Sequence, residues 1–156
     1  MSISCPISNR RVDARMARMV SLQVAIFTSL FVYTHIFALA VLVFFDFSIR
    51  ALKQENFSPF YRVGKIILDT LNVKPKECDA LPKQFALYMG LSVSFFIVFF
   101  YLLGLVLSAE YYNYTFFPVI IISILLIIFA FLEAFLGFCM GCKIYYVIQI
   151  VKRIFN

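Results

Sequence analysis

Apolar residues in this chain come in long runs rather than in alternation with polar ones. Three stretches hold no Asp, Glu, Lys or Arg: Met19–Phe45, Gln84–Ala109 and Tyr111–Leu132, of 27, 26 and 22 residues. A helix crosses the hydrocarbon core of a bilayer in about 20 residues, so the second and third runs each predict one span. The first predicts either one long tilted helix or two short helices that turn at "YTH", Tyr33–His35.

The flanking charges separate these two. Arg10, Arg11, Arg15 and Arg18 precede the run, and Arg50, Lys53, Arg62, Lys65, Lys74, Lys76 and Lys83 follow it before the next span. A single crossing would put the two basic segments on opposite sides, against the tendency of Lys and Arg to stay in the cytoplasm. A hairpin keeps both inside and leaves Thr34–His35 and "SAEYYNYTF" outside, neither with a Lys or Arg. The expected fold is therefore an all-α membrane protein: a four-span bundle of two hairpins with both termini cytoplasmic. Its spans fall at about residues 15–33, 35–52, 84–108 and 115–138, with a cytoplasmic loop at 53–83 and a helical tail at 139–156. No Gly or Pro marks the first hairpin's turn.

Local signals fill in this layout. In "SPFYRVGKIILDTLN" Ser58 is a capping residue and Pro59 suits the first helical position. Val63, Ile66, Ile67 and Leu71 then recur at helical spacing, with Arg62, Lys65 and Asp69 elsewhere on the wheel. That pattern predicts an amphipathic helix in the membrane interface between spans two and three. Tyr111, Tyr112 and Tyr114 sit where an aromatic belt is expected, and Pro118 falls in the first turn of the fourth span. "KIYYVIQIVKRIFN" is expected to continue that fourth helix, anchored by Lys152 and Arg153.

Composition supports lipid as the solvent. Only 14% of residues are charged and 63% are hydrophobic, where a soluble domain carries about 25% charged. The polar segment from Arg50 to Lys83 is too short to bury a core of its own. The net charge of +6 is read as membrane orientation, not as nucleic-acid binding. The polar leader before the first run does not read as a cleavable signal peptide.

Candidate chemistry centres on "EAFLGFCMGCK", Glu133–Lys143. Four cysteines occur, Cys5, Cys78, Cys139 and Cys142, and the four-span layout places all of them near the reducing cytoplasmic face, against a structural disulfide framework. Cys139 and Cys142 lie three apart, on one face of a helix. A mid-helix or C-terminal position sets the helix dipole against a thiolate there. Lys143 is a nearby cation, and Gly137 and Gly141 permit a backbone break or a close approach. The competing reading is two small apolar cysteines packed between helices. Four thiolates could close a zinc site, but only one Cys-x-x-Cys is present, so no metal is expected. Asp46 and Arg50 are spaced to pair on one helix face. Glu133, a carboxylate at membrane depth, is a functional candidate or the partner of Arg50 or Arg18. His35, at the outer turn, is a poor ligand or base.

On these residues the chain resembles a family of small bacterial integral membrane proteins catalogued as domain of unknown function 4395. The shared features are "CP" at Cys5–Pro6, "RV" at Arg11–Val12, "AR" at Ala17–Arg18, "DF..R" from Asp46 to Arg50 and "SP" at Ser58–Pro59. They continue with "KP...DA.PK.FA" from Lys74 to Ala86 and "EA..GFC.GCK" from Glu133 to Lys143. Cys78 falls outside them. The resemblance implies a bacterial cytoplasmic-membrane protein and an association with thioredoxin-like or sulfurtransferase proteins.

The expected function is cytoplasm-facing thiol redox or persulfide handling by Cys139 and Cys142, with Cys5 alongside. Lys143 would lower a thiol pKa, Glu133 would move a proton, and Asp46, Arg50 and Arg18 would hold the bundle or bind an anion. No cofactor is expected; the lipid bilayer is the expected partner, and a homo-oligomer is compatible with the chain. The alternatives are a non-enzymatic accessory or anchoring subunit of a membrane complex, and a small transporter of a sulfur-containing anion.

Overall fold

A computed structural model describes residues 11–52, 54, 57–72, 77–106, 109–137 and 139–154. A short strand, β1 (Arg11–Asp13), precedes helices α1 (Ala14–Thr34), α2 (Phe37–Ala51) and α3 (Pro59–Thr70). A second strand, β2 (Glu77–Asp79), leads into α4 (Ala80–Val106) and α5 (Ala109–Phe131). A π-helical turn (Leu132–Leu136) and α6 (Met140–Ile154) follow. Helices α1, α2, α4 and α5 neighbour one another in that cyclic order, while α3 rests on α1 and α6 on α4. The two strands, unforeseen from sequence, pair antiparallel with Val12 opposite Cys78 and so tie the start of α1 to the start of α4.

Residues 19–45 are not one helix. Asp13 caps α1 by accepting the Arg15 N–H at 2.9 Å, and the helix ends at His35, which takes the left-handed conformation at φ 56°. Its N–H closes on the Phe31 carbonyl at 2.8 Å, an αL cap that glycine usually provides. The surroundings hold His35 there. Tyr101 of α4 donates its hydroxyl to the His35 carbonyl at 3.1 Å, the imidazole meets the Phe116 ring edge-on, and Phe37 stacks on Tyr101. Tertiary contacts thus make a turn where local sequence offers no glycine.

Three helical segments are long and apolar enough to cross a membrane: Ala14–Thr34, Ala80–Val106 and Phe116–Leu136. The outward faces are apolar, with Phe95, Phe96 and Phe99 of α4 and Ile121, Ile124 and Ile128 of α5 all exposed, a surface consistent with contact to a lipid bilayer. The inner faces carry Val20, Val24, Ala25, Val43, Ile97 and Leu126, with Ser94 and Ser123 fully enclosed. Small residues at such contacts let helix backbones approach closely where burial from water no longer drives association. The fourth bundle helix, α2, has only 15 residues.

Ser58 and Pro59 start α3 as the sequence predicts, Ser58 accepting the Tyr61 N–H at 3.2 Å. The helix docks on α1 by a narrow strip, where Gln23 donates to the Phe60 carbonyl at 3.1 Å and Phe27 meets the Phe60 ring. Val63, Ile66, Ile67 and Leu71 point away from the bundle and are exposed.

The second half departs from expectation in two places. Residues 109–116, expected as an outer loop with a tyrosine belt, are helical, so Pro118 lies inside α5 and not in its first turn. The C-terminal segment does not continue the preceding helix either. Gly137 adopts φ +64° and donates to the Glu133 carbonyl at 3.1 Å, a glycine-dependent stop, and α6 begins anew beyond it.

Candidate functional site

That new helix reverses the electrostatics expected for the cysteines. Cys139 stands immediately before α6 and Cys142 in its first turn, so the pair occupies a helix N-terminus, where the dipole favours a thiolate. The Cys142 N–H donates to the Cys139 sulfur at 3.3 Å. In this arrangement Cys139 serves as the capping acceptor for backbone donors that would otherwise be unpaired. Both thiols are free and half-buried. Gly141, between them, sets the docking: a Cβ there would lie 2.6 Å from the Ala86 Cα, so only glycine lets α6 approach α4 this closely.

The two thiols are driven in opposite directions. The Cys142 side chain donates a hydrogen bond that lowers the Cys139 pKa; burial and the Glu133 carboxylate oppose this, and the Cys142 N–H and the Lys83 ammonium assist it. Cys142 is raised, first by the hydrogen bond it gives to Cys139 and then by burial. Cys139 is thus the more acidic thiol of the pair, and Cys142 the one that keeps its proton.

Cys139 opens onto a cavity of about 260 Å³ that runs into the bundle. Its polar lining includes Asp13, Ser21, Arg50, Tyr61, Lys83 and Glu133, and Val20, Val24, Phe47 and Leu126 form apolar wall. Glu133 reaches it from the π-helical turn, an irregularity that often marks functional sites. Lys83, half-buried in the first turn of α4, donates to the Asp13 carbonyl at 3.2 Å.

Of the other residues singled out from sequence, Glu133 and Arg50 line this cavity. Glu133 and Lys83 are among the charges acting on the thiols, and Lys143, the cation expected there, has an exposed side chain. Glu133 forms no ion pair among the described residues. Arg50 instead binds Asp46, Nη2 to Oδ2 at 2.8 Å, and the Arg18 guanidinium packs over Gly137. Asp46 is fully enclosed, accepting from the Ser58 hydroxyl and from the Phe60 N–H at 3.2 Å. It is a structural pin that holds the start of α3 against α2. Cys5 lies outside the described residues. No group of three or more His, Cys, Asp or Glu side chains is placed to hold a metal among the described residues. Sequence reasoning missed Lys83 as a site residue, although it is the second Lys of the "KP...DA.PK.FA" signature.

No curated protein and no solved structure matches the chain. Residues 12–149 do match one family, and the chain belongs to that family, described as domain of unknown function (DUF4395).

Proposed function

We propose that this is a four-span membrane protein that carries out thiol redox or sulfur-transfer chemistry at one face of the bilayer, with Cys139 as its nucleophile. The carrying observation is the helix break at Gly137, which sets the Cys139 sulfur on the N-terminus of α6, beside Lys83 and open to a cavity. An inert packed cysteine needs none of these features. The hairpin turn at His35 supports four crossings, α2 being the short one. The charge distribution favours a cytoplasmic location for both termini and the thiols, in a bacterial inner membrane. The exposed apolar stripe of α3 suits the interface on the same side. Cys5 would join the pair from the N-terminal segment, and a thioredoxin-like or sulfurtransferase protein would exchange with it.

The test is the pH dependence of alkylation in purified protein, with Cys139→Ser and Cys142→Ser as controls. Cys139 is expected to react first, with an apparent pKa below the ordinary thiol value of about 8.5, and Cys142 only far above it. Equal rates for the two thiols, each titrating at the ordinary value, would remove the basis for the proposal.

A further inference from the structure

The cavity has a composition that the thiols alone do not explain. Its charged groups share one end of the bundle: Asp13 just before α1, Arg50 at the end of α2, Lys83 at the start of α4 and Glu133 just after α5, with Cys139 among them. From Lys83 to Val93 it then follows α4 inward, about 15 Å at 1.5 Å per residue, between mainly apolar side chains. Met89 and Leu125, which line it, are also exposed on the outer surface of the bundle, so the slot opens toward the acyl chains. Two acids offset the two cations, which gives an inorganic sulfur anion little electrostatic reason to stay, and the apolar length gives it nothing to bind. Ligand pockets run to about 300–1,000 Å³, so about 260 Å³ admits a single ring or chain.

We propose that this cavity binds a lipid-soluble quinone, whose ring lies at the polar end against Cys139 and whose isoprenoid tail leaves between α4 and α5. The proposal rests on the thiol reading above and names the electron acceptor for it. In the reaction a Cys139–Cys142 disulfide forms and two electrons pass to the quinone, whose two carbonyl oxygens become hydroxyls. One proton comes from the Cys142 thiol. The other is taken up from water at the polar end, replacing the proton Cys139 gave up on becoming a thiolate. The Cys142 backbone N–H already bonds the Cys139 sulfur at 3.3 Å, which keeps the two residues adjacent for bond formation. Lys83 and Arg50 supply donors for the quinone oxygens, and Glu133 supplies a proton carrier. A protein dithiol then restores the pair by thiol–disulfide exchange, which conserves atoms and electrons.

The experiment mixes the reduced full-length protein, in detergent and without oxygen, with decylubiquinone. Quinol is followed by ultraviolet absorbance, and the disulfide by alkylation and mass spectrometry. Quinol and disulfide are expected to form in equal amounts. Val93→Phe, which fills the inner slot, is expected to slow the reaction by roughly tenfold or more, the effect of about 1.4 kcal/mol. Diamide, a small water-soluble thiol oxidant, should oxidise wild type and variant alike. Ala130→Leu fills the same slot from α5 and replaces Val93→Phe if that variant does not fold. Normal diamide oxidation with no quinone-driven disulfide, or quinone rates unmoved by both slot fillings, overturns the quinone site and leaves the thiol reading standing. Phospholipid that co-purifies in the slot and is not displaced by decylubiquinone does the same. Failure of diamide to join Cys139 to Cys142 overturns both.

Discussion

Removing the carboxylate of Asp46 is expected to loosen the polar end of the bundle while leaving both cysteines in place. The side chain is fully buried, and it is the point on which three groups converge: the Ser58 hydroxyl, the Phe60 N–H at 3.2 Å and Arg50 at 2.8 Å. Asp46→Ala leaves the Arg50 charge without its counter-ion and two donors at the start of α3 without an acceptor. Breaking a buried ion pair by deleting one partner costs about 3–5 kcal/mol. The hydrogen bonds to charge, about 1.5–3 kcal/mol each in isolation, overlap with that figure because all three groups share one carboxylate. At about 2–4 °C per kcal/mol for a chain of this size, the melting temperature should fall by roughly 6–20 °C. Asp46→Asn keeps an acceptor for Ser58 and Phe60 but loses the charge, and should fall in between. The chain has no Trp, so unfolding is best followed by far-ultraviolet circular dichroism in detergent, beside trypsin cleavage at Arg62 and Lys65, both exposed on α3. An Asp46→Ala protein that melts with wild type and keeps α3 equally resistant to trypsin would refute the pin.

Two further outcomes probe the thiol site. Gly141→Ala forces a Cβ onto the Ala86 backbone; overpacking of this kind costs about 1–3 kcal/mol, and the displaced α6 should slow Cys139 alkylation along with a lower melting temperature. Lys83→Met removes a cation that lowers the Cys139 pKa, so the alkylation midpoint should move upward and the rate at neutral pH should drop; an unmoved midpoint in Lys83→Met, with an upward shift in Lys143→Met, would return the cation's role to Lys143.

Much of this could be read along the chain wherever the determinants are local or lie within one turn. The second and third charge-free runs form long apolar helices, and the first divides between α1 and α2. Ser58 and Pro59 start α3, and the spacing of Asp46 and Arg50 produces their ion pair. The turn near His35 was legible only through charge, because what holds His35 in a left-handed conformation is Tyr101 and Phe116, more than sixty positions away. The reversal at Gly137 was half legible. A glycine permits a break, but the apolar residues on both sides of it read as one uninterrupted helix, so the polarity at Cys139 came out inverted. Lys83 was hidden for a different reason. Its nearness to the thiols depends on the packing of α4 against α6 and on the strand pairing, neither of which leaves a periodic trace.

The shortness of α2 has a consequence for the surrounding bilayer. At about 1.5 Å per residue, its 15 residues span about 22 Å, against a hydrocarbon thickness of about 30 Å, while α4 with 27 residues exceeds it. In the proposed four-crossing arrangement this is a hydrophobic mismatch confined to one side of the molecule. Acyl chains beside α2 must shorten or tilt, and those beside α4 need not. The protein would then sit as an asymmetric wedge, drawn to thinner membrane and inclined to shield α2 against another protein, so that lipid thickness becomes a variable setting how the bundle is oriented and with what it assembles.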